Sequence, residues 1–170
     1  MDNNFKFVIG DIDEAVSIMR QASKRLIDSG KKMRDLQDLS FEKIGRPKDE
    51  YIVMYNSFEG AARAILSFED KDFWHEIPIN TSGFIHKLSV RRKYAKSGAA
   101  QKLMEYAEQI CKNKGISALR LDCGPHRKSL VKFYEDMGLK LQNVKAISYK
   151  SKVIDTALYA KLWAMGIRNG

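Results

Sequence analysis

A change of hydrophobic period in the middle of the chain constrains the fold more than any other feature. The short, largely apolar stretch Gly83–Val90 predicts a central β-strand. From Gly98 onward, apolar residues recur at helical spacing and predict an amphipathic helix that Gly115 ends. The stripe consists of Ala100, Leu103, Met104, Ala107, Ile110 and Cys111. A strand that leads into such a helix predicts a sheet with helices laid across it.

The C-terminal part of the chain repeats this order. Ser117–Cys123 predicts a short strand, and Lys128–Met137 predicts a helix with Gly138 as its C-cap. Leu139–Trp163 holds two further predicted strands, of which the last is Thr156–Trp163.

The N-terminal part predicts a strand, a helix and a hairpin. Alternation over Phe5–Ile9 indicates the strand, and Asp11 with Glu14 forms a capping-box pattern before a helix that ends at Gly30. Ser40–Ile44 predicts a further short helical turn. The hairpin consists of the strands Tyr51–Asn56 and Ala62–Phe68, joined by a turn at Ser57–Gly60 and followed by the loop Glu69–Ser82.

These elements predict one α/β (α+β) domain over residues 1–170, with a mixed central sheet of about six to seven strands flanked by about four helices. A hydrophobic fraction of 44% and a charged fraction of 30% exclude a disordered chain. The two cysteines, Cys111 and Cys123, have no metal-site spacing, so no metal is expected. Met1–Asn4 lacks the start of a signal peptide and no run approaches ~18 apolar residues. We therefore expect a cytoplasmic protein without a membrane partner.

Basic residues cluster between the predicted central strand and helix. The chain has a net charge of +9, and the segment between His86 and Met104 contains six Lys and Arg residues and no acid. Such a segment attracts anions, although a solvated basic face is the alternative. A basic nucleic-acid-binding protein is a less favoured alternative, because acids alternate with lysines along the helix after Gly98 and no arginine-rich recognition face or aromatic RNA-binding motif is present. Nucleic acid is therefore not expected as the partner.

The junction between the strand and the helix has the composition of a phosphate-binding turn. Backbone N–H groups at a helix N-terminus bind pyrophosphate when side chains do not block the approach. Gly98 and its small neighbours leave the approach open, although close packing of the helix on the sheet explains small residues equally well. Neither a Walker P-loop nor a dinucleotide fingerprint is present, so the predicted ligand carries phosphate but is not ATP or NAD.

The hexapeptide Ala95-Lys96-Ser97-Gly98-Ala99-Ala100, preceded by Leu88-Ser89-Val90, resembles motif A of the GNAT superfamily of N-acetyltransferases. That motif reads Gln or Arg, two variable residues, Gly, one variable residue, and Gly or Ala. The chain matches it except at Ala95. Leu119–Cys123 and Leu130–Leu139, which contains Phe133-Tyr134-Glu135, resemble the family's next strand and its motif B.

The resemblance implies transfer of an acetyl group from acetyl-CoA to a primary amine, by direct attack in a ternary complex. It implies that Tyr134 is the general acid that protonates the departing thiolate, where an ordinary aromatic on a helix face is the alternative. The residues that the resemblance assigns to acetyl-CoA are Leu88, Ser89, Val90, Ala95, Lys96, Ser97, Gly98, Ala99, Ala100, Arg127, Leu130 and Tyr134.

The base that deprotonates the amine is left open among His86, Glu69, Asp70 and water. A structural histidine and solvated loop acids are the alternatives for these side chains. The aromatic segment Phe73–Glu76 either walls the substrate site or caps the core. Cys123 is interpreted as a core residue.

The acceptor is a small-molecule or peptide amine that the sequence does not identify. An acyl-CoA-binding sensor without turnover is the second reading, because Ala95 and Arg127 depart from the family pattern. The apolar end Leu158–Ile167 offers a surface for a homodimer.

Overall fold

The computed structural model describes residues 4–30 and 48–165, and these ranges hold seven β-strands, three α-helices and one short 3-10 turn. The strands are β1 Phe5–Ile9, β2 Glu50–Asn56, β3 Glu59–Ser67, β4 Gly83–Val90, β5 Ala118–Cys123, β6 Lys140–Tyr149 and β7 Lys152–Leu162. The helices are α1 Ile12–Asp28, α2 Ala99–Asn113 and α3 Lys128–Asp136, and the 3-10 turn is Arg92–Tyr94.

The predicted fold class is confirmed. The strand order is β1-β2-β3-β4-β5-β7-β6, and the sheet is mixed because β4 and β5 are parallel whereas β5 and β7 are antiparallel. Three helices lie in the described part of the chain, compared with about four predicted, and the predicted helical turn Ser40–Ile44 lies outside it. The residues group into two compact units, and the single domain over residues 1–170 stays a prediction.

The first unit comprises Met1–Leu66 and Lys87–Ala107. The strands β1 and β2 pair antiparallel, as do β2 and β3. The latter two form the predicted hairpin, whose second strand begins at Glu59 rather than at Ala62. The apolar face of α1 packs on this sheet because its inward residues recur at helical spacing. The buried cluster consists of Ala15, Ile18, Tyr51, Val53 and Ile65.

The predicted capping box at the start of α1 forms only in part. The side chain of Asp11 accepts a hydrogen bond from the Glu14 backbone N–H at 3.2 Å, which satisfies one unpaired donor of the first turn. The Glu14 carboxylate instead accepts a hydrogen bond from Arg91 at 2.8 Å. This hydrogen bond joins α1 to Arg91, the residue that directly follows β4.

The second unit comprises Ser67–His86 and Glu108–Gly170. Its strand pairs are β4 with β5, β5 with β7 and β7 with β6. Its buried cluster consists of Trp74, Phe84, Ile147 and Leu158. Trp74 packs in this cluster and Phe73 packs on Tyr149, so the structure favours a core-capping role for the aromatic segment 73–76 over a substrate wall.

The last strand begins four residues earlier than predicted, at Lys152 rather than at Thr156. Lys150 and Ser151 form the turn before it and both have positive φ, 46° and 61°. Two-residue hairpin turns with this backbone usually contain Asn or Gly, and neither is present here to signal the turn. Leu158 of the predicted dimer surface is buried in the second unit, while Ile167 lies outside the described residues, and dimerisation stays a prediction.

None of the helices within residues 4–30 and 48–165 combines the length and the apolar character that crossing a membrane demands.

Candidate active site

The turn between β4 and α2 leaves its backbone open to solvent. Gly98 has a φ of +81°, and a Cβ built on it would meet no atom within 4 Å. Lys96 also has positive φ, at 61°, and α2 begins at Ala99. Ala99 is buried, whereas Lys96 and Gly98 are exposed. The N-terminal N–H groups of α2 therefore follow an unobstructed backbone segment, as an anion site requires.

The predicted basic cluster around this turn is only partly available to a ligand. Arg91 donates to Glu14 at 2.8 Å and to the Gly60 carbonyl at 2.8 Å. Lys93 donates to Glu59 at 2.9 Å, and this hydrogen bond holds the pKa of the Glu59 carboxyl below its ordinary value. Lys96, two residues before Gly98, has no ion pair with any residue in the described ranges, so its charge is available to an anion at Gly98.

The strand β4 contains a kink at Lys87. This residue has a φ of 52°, a left-handed conformation that is costly for a side chain other than glycine. Its carbonyl accepts hydrogen bonds from Arg63 Nη1 at 3.1 Å and from Ser89 Oγ at 3.3 Å. Arg63 is fully buried and also contacts Met19 Sδ at 3.0 Å. The kink interrupts the alternation of side chains along the strand, so the direction of the side chains after Lys87 does not follow from the strand period alone.

Backbone pairing between β4 and β5 stops early. The parallel register joins Gly83 to Leu119 and Phe84 to Arg120, and it includes no later pair within the described residues. On its other side, β5 continues to pair with β7 as far as Cys123. His86 and Asp122 each lie two residues beyond the last pair, so they occupy equivalent positions on neighbouring strands.

A cluster of proton-accepting side chains lies at this point. Asp70 Oδ2 is 3.7 Å from His86 Nε2, and ligand-type atoms of Asp70, His86 and Asp122 all lie within 4.8 Å of one another. The Asp70 side chain is only 2% exposed and that of His86 21%. Sequence reasoning named His86 and Asp70 separately but missed Asp122, whose position becomes meaningful only through the register of β5.

The loop before β4 fixes Asp70. Its Oδ1 accepts hydrogen bonds from the backbone N–H groups of Asp72 at 3.1 Å and of Phe73 at 3.0 Å. Its Oδ2 is buried, and no described residue donates a hydrogen bond to it. Glu69, the other predicted acid of this loop, points to the surface and pairs with Lys71 at 3.2 Å. Of the two acids, Asp70 is the one that the fold brings to His86.

Tyr134 and Cys123 are buried in the same unit. Burial raises the pKa of the Tyr134 phenol above its ordinary value of 10.0, so the hydroxyl keeps its proton at physiological pH. Burial, reinforced by the charge of Asp122, raises the pKa of the Cys123 thiol to about 11. The Tyr134 hydroxyl therefore retains a proton that it can donate, whereas the raised pKa of Cys123 disfavours the thiolate that a nucleophile needs.

The remaining predicted site residues have these positions. Leu88, Ser89 and Val90 lie half-buried at the end of β4. Ala95 is exposed and Ser97 is half-buried in the turn, and Ala100 is half-buried at the start of α2. Arg127 and Leu130 are half-buried at the start of α3.

Comparisons with known proteins give a consistent result. The model of the acetyltransferase (GNAT) family matches residues 19–139. The uncharacterised N-acetyltransferase YesJ of Bacillus subtilis is 22% identical over 154 residues, 84% of this chain and 83% of its own.

Two solved structures share the fold. The ribosomal-protein-S18-alanine N-acetyltransferase from Escherichia coli matches with a TM-score of 0.64 at 15% identity, over 96% of this chain and 98% of its own. The protein yncA from Salmonella typhimurium, solved with its cofactor acetyl-CoA, matches with a TM-score of 0.66 at 8% identity, over 99% of this chain and 98% of its own.

Proposed function

This chain belongs to the GNAT family of acetyltransferases, and we propose that it transfers an acetyl group from acetyl-CoA to a primary amine by direct attack in a ternary complex. Acetyl-CoA is the acyl donor of the family. The observation that carries the proposal is the open turn at Gly98, an exposed residue with positive φ and free space at its Cβ position that directly precedes a 15-residue helix. A pyrophosphate needs this combination of unpaired backbone donors and access.

The residues present fit such a donor. The backbone from Ala95 to Ala100 would hold the pyrophosphate, with Lys96 adding a charge-assisted contact. The backbone groups of Leu88–Val90, which follow the kink at Lys87, would bind the pantetheine arm, and Ser89 belongs to this segment. Arg127 and Leu130, at the start of α3, are proposed as further contacts to the donor. These assignments need few specific side chains, because backbone groups supply most of the contacts.

Tyr134 is proposed as the general acid. Acetyl-CoA supplies a thioester carbonyl for an amine to attack and a thiolate as the leaving group. The buried phenol holds its proton because its pKa is raised, and it would donate that proton to the sulfur as the carbon–sulfur bond breaks. The raised pKa of Cys123 argues against an acyl-enzyme and supports direct attack.

The test is release of CoA in the presence of acetyl-CoA and a panel of primary amines. Tyr134→Phe should lower kcat by about 100-fold, the low end of what a general acid contributes, while acetyl-CoA affinity measured by calorimetry stays the same. Tyr149→Phe is the matched control. The Tyr149 ring lies on β6 against the Phe73 ring, and loss of its hydroxyl should leave kcat unchanged.

Two results would contradict the proposal. CoA release at the background rate with every amine, despite tight binding of acetyl-CoA, would indicate the sensor reading. An unchanged kcat for Tyr134→Phe between pH 6 and pH 9 would remove Tyr134 from the reaction.

A further inference from the structure

The cluster of Asp70, His86 and Asp122 is not needed to hold acetyl-CoA. A buried carboxylate oxygen without a hydrogen-bond donor is destabilising, and more so when the group is charged. Asp70 Oδ2 is such an atom among the described residues. The 3.7 Å that separate it from His86 Nε2 exceed a hydrogen bond, so the two groups leave room for one donor between them.

An ammonium group satisfies this arrangement. It offers three donors, and three acceptors about 2.9 Å from a tetrahedral nitrogen lie up to about 4.7 Å apart. The acceptor atoms of Asp70, His86 and Asp122 lie within 4.8 Å of one another. One nitrogen can therefore contact all three side chains.

The charge of the cluster points to a cation as well. Two carboxylates face one imidazole in a chain whose net charge is +9, so the cluster is a local acidic site on a basic protein. A cation bound between these side chains would be attracted by both carboxylates.

We propose that Asp70, His86 and Asp122 form the acceptor subsite and that the acceptor is a cationic primary amine with no carboxylate on its α-carbon. The inference rests on the proposed acetyl transfer and adds the substrate class and the base. Asp70 and Asp122 hold the ammonium, and His86 accepts one of its protons at Nε2. A carboxylate on the α-carbon would lie against the two aspartates and be repelled.

The protons balance as follows. His86 takes the first proton of the ammonium and later releases it to solvent, leaving a lone pair on nitrogen. That pair forms the carbon–nitrogen bond as the carbon–sulfur bond breaks, and the sulfur takes the Tyr134 proton. The second ammonium proton restores the phenol, and the third stays on the amide nitrogen.

The experiment compares three amines by CoA release. Phenethylamine and phenylalanine differ only in the carboxylate, and aniline is uncharged at pH 7 and needs no base to expose its lone pair. Wild type should prefer phenethylamine over phenylalanine by about 100-fold in kcat/KM. Asp70→Asn and His86→Gln should each lower kcat/KM for phenethylamine by about 100-fold, the scale of general-base catalysis, and lower that for aniline by less than about threefold.

Controls keep the loss specific. Asn at position 70 preserves the Oδ1 acceptor for the turn, and Asp122→Asn repeats the test if Asp70→Asn unfolds at a lower temperature. Asp72→Asn and His75→Gln alter exposed side chains near Asp70 in the same loop. Both variants should leave kcat/KM for all three amines unchanged.

Several results would overturn the subsite. Equal losses of kcat/KM with aniline and phenethylamine would mean that the cluster only supports the fold. Turnover of phenylalanine equal to that of phenethylamine would contradict the proposed substrate class. Zinc binding by wild type but not by Asp70→Asn, together with a rate that a chelator abolishes, would assign the cluster to a metal. Background CoA release with all three amines, with acetyl-CoA still bound, would instead reject acetyl transfer itself.

Discussion

The Gly98 turn and the Asp70 cluster differ in exposure and in the groups that they present to a ligand. The turn is exposed and built from backbone groups, and its side chains are small or solvated. The cluster is built from side chains, and its central carboxylate is 2% exposed. Backbone donors need only an unblocked approach to bind an anion, and not a particular side chain, whereas proton transfer depends on particular side chains. Ala95 can therefore replace the Gln or Arg of the family motif in the turn, while no such freedom is expected at His86.

The strongest test of this contrast is a bulky residue at Gly98. Gly98→Leu places a side chain where the pyrophosphate approaches, so acetyl-CoA affinity should fall by about 100-fold, which is ~2.7 kcal/mol. The expected readout is the dissociation constant from calorimetry. The rate at saturating acetyl-CoA should change far less, because the proton-transfer groups are untouched.

Gly115→Leu is the matched control for this variant. Gly115 lies beyond the other end of α2, with a φ of +73° and no atom within 4 Å of an added Cβ. Both substitutions therefore carry the same backbone strain, about 1–2 kcal/mol, in open space. A comparable loss of acetyl-CoA affinity in both variants would show that strain, and not a blocked pyrophosphate, causes the effect.

The next test concerns the kink in β4, which backbone alone does not explain. Arg63 Nη1 holds the Lys87 carbonyl while Lys87 is left-handed. Arg63→Met removes this hydrogen bond, and Lys87 should relax toward an extended conformation that is cheaper by about 1–2 kcal/mol. Because Leu88–Val90 would then be displaced, we expect acetyl-CoA affinity to fall by about tenfold, as measured by calorimetry.

Glycine at the kink distinguishes positioning from general stability. Lys87→Gly adopts positive φ without strain, so in the Arg63→Met background it should restore most of the affinity. Met19→Leu removes the contact of Arg63 Nη1 with Met19 Sδ and should change affinity by less than about twofold. A double variant no better than Arg63→Met alone would mean that Arg63 does not act through the kink.

The sequence predicted the turn better than the cluster for physical reasons. The strand β4 has the predicted bounds Gly83–Val90, and α2 begins one residue after Gly98, because both are local consequences of hydrophobic period and glycine. The acceptor cluster depends on the register of β5 against β4, which places Asp122 level with His86. No local pattern contains that register.

Asp70 illustrates the same limit on a smaller scale. A loop acid is expected in solvent, but here two backbone N–H groups of its own turn bind Oδ1 and bury the side chain. The kink at Lys87 could not be predicted from the sequence either, because a lysine does not indicate a positive φ. Tyr134 could be named only because its surroundings form a recognisable motif, and its role stays a prediction.

The smallest expected effect is a difference between two basic residues of the turn, Lys96 and Lys93, in their contribution to acetyl-CoA binding. Lys96 has no ion pair with a described residue, whereas Lys93 is held by Glu59 at 2.9 Å. Lys96→Gln should weaken acetyl-CoA binding about threefold, the scale of a solvated charge pair, and Lys93→Gln should leave it unchanged. The effect of Lys96→Gln should vanish in 1 M NaCl, where the screening length is about 3 Å. Equal losses in both variants would mean that these lysines act through their summed charge, and the contact assigned to Lys96 would be wrong.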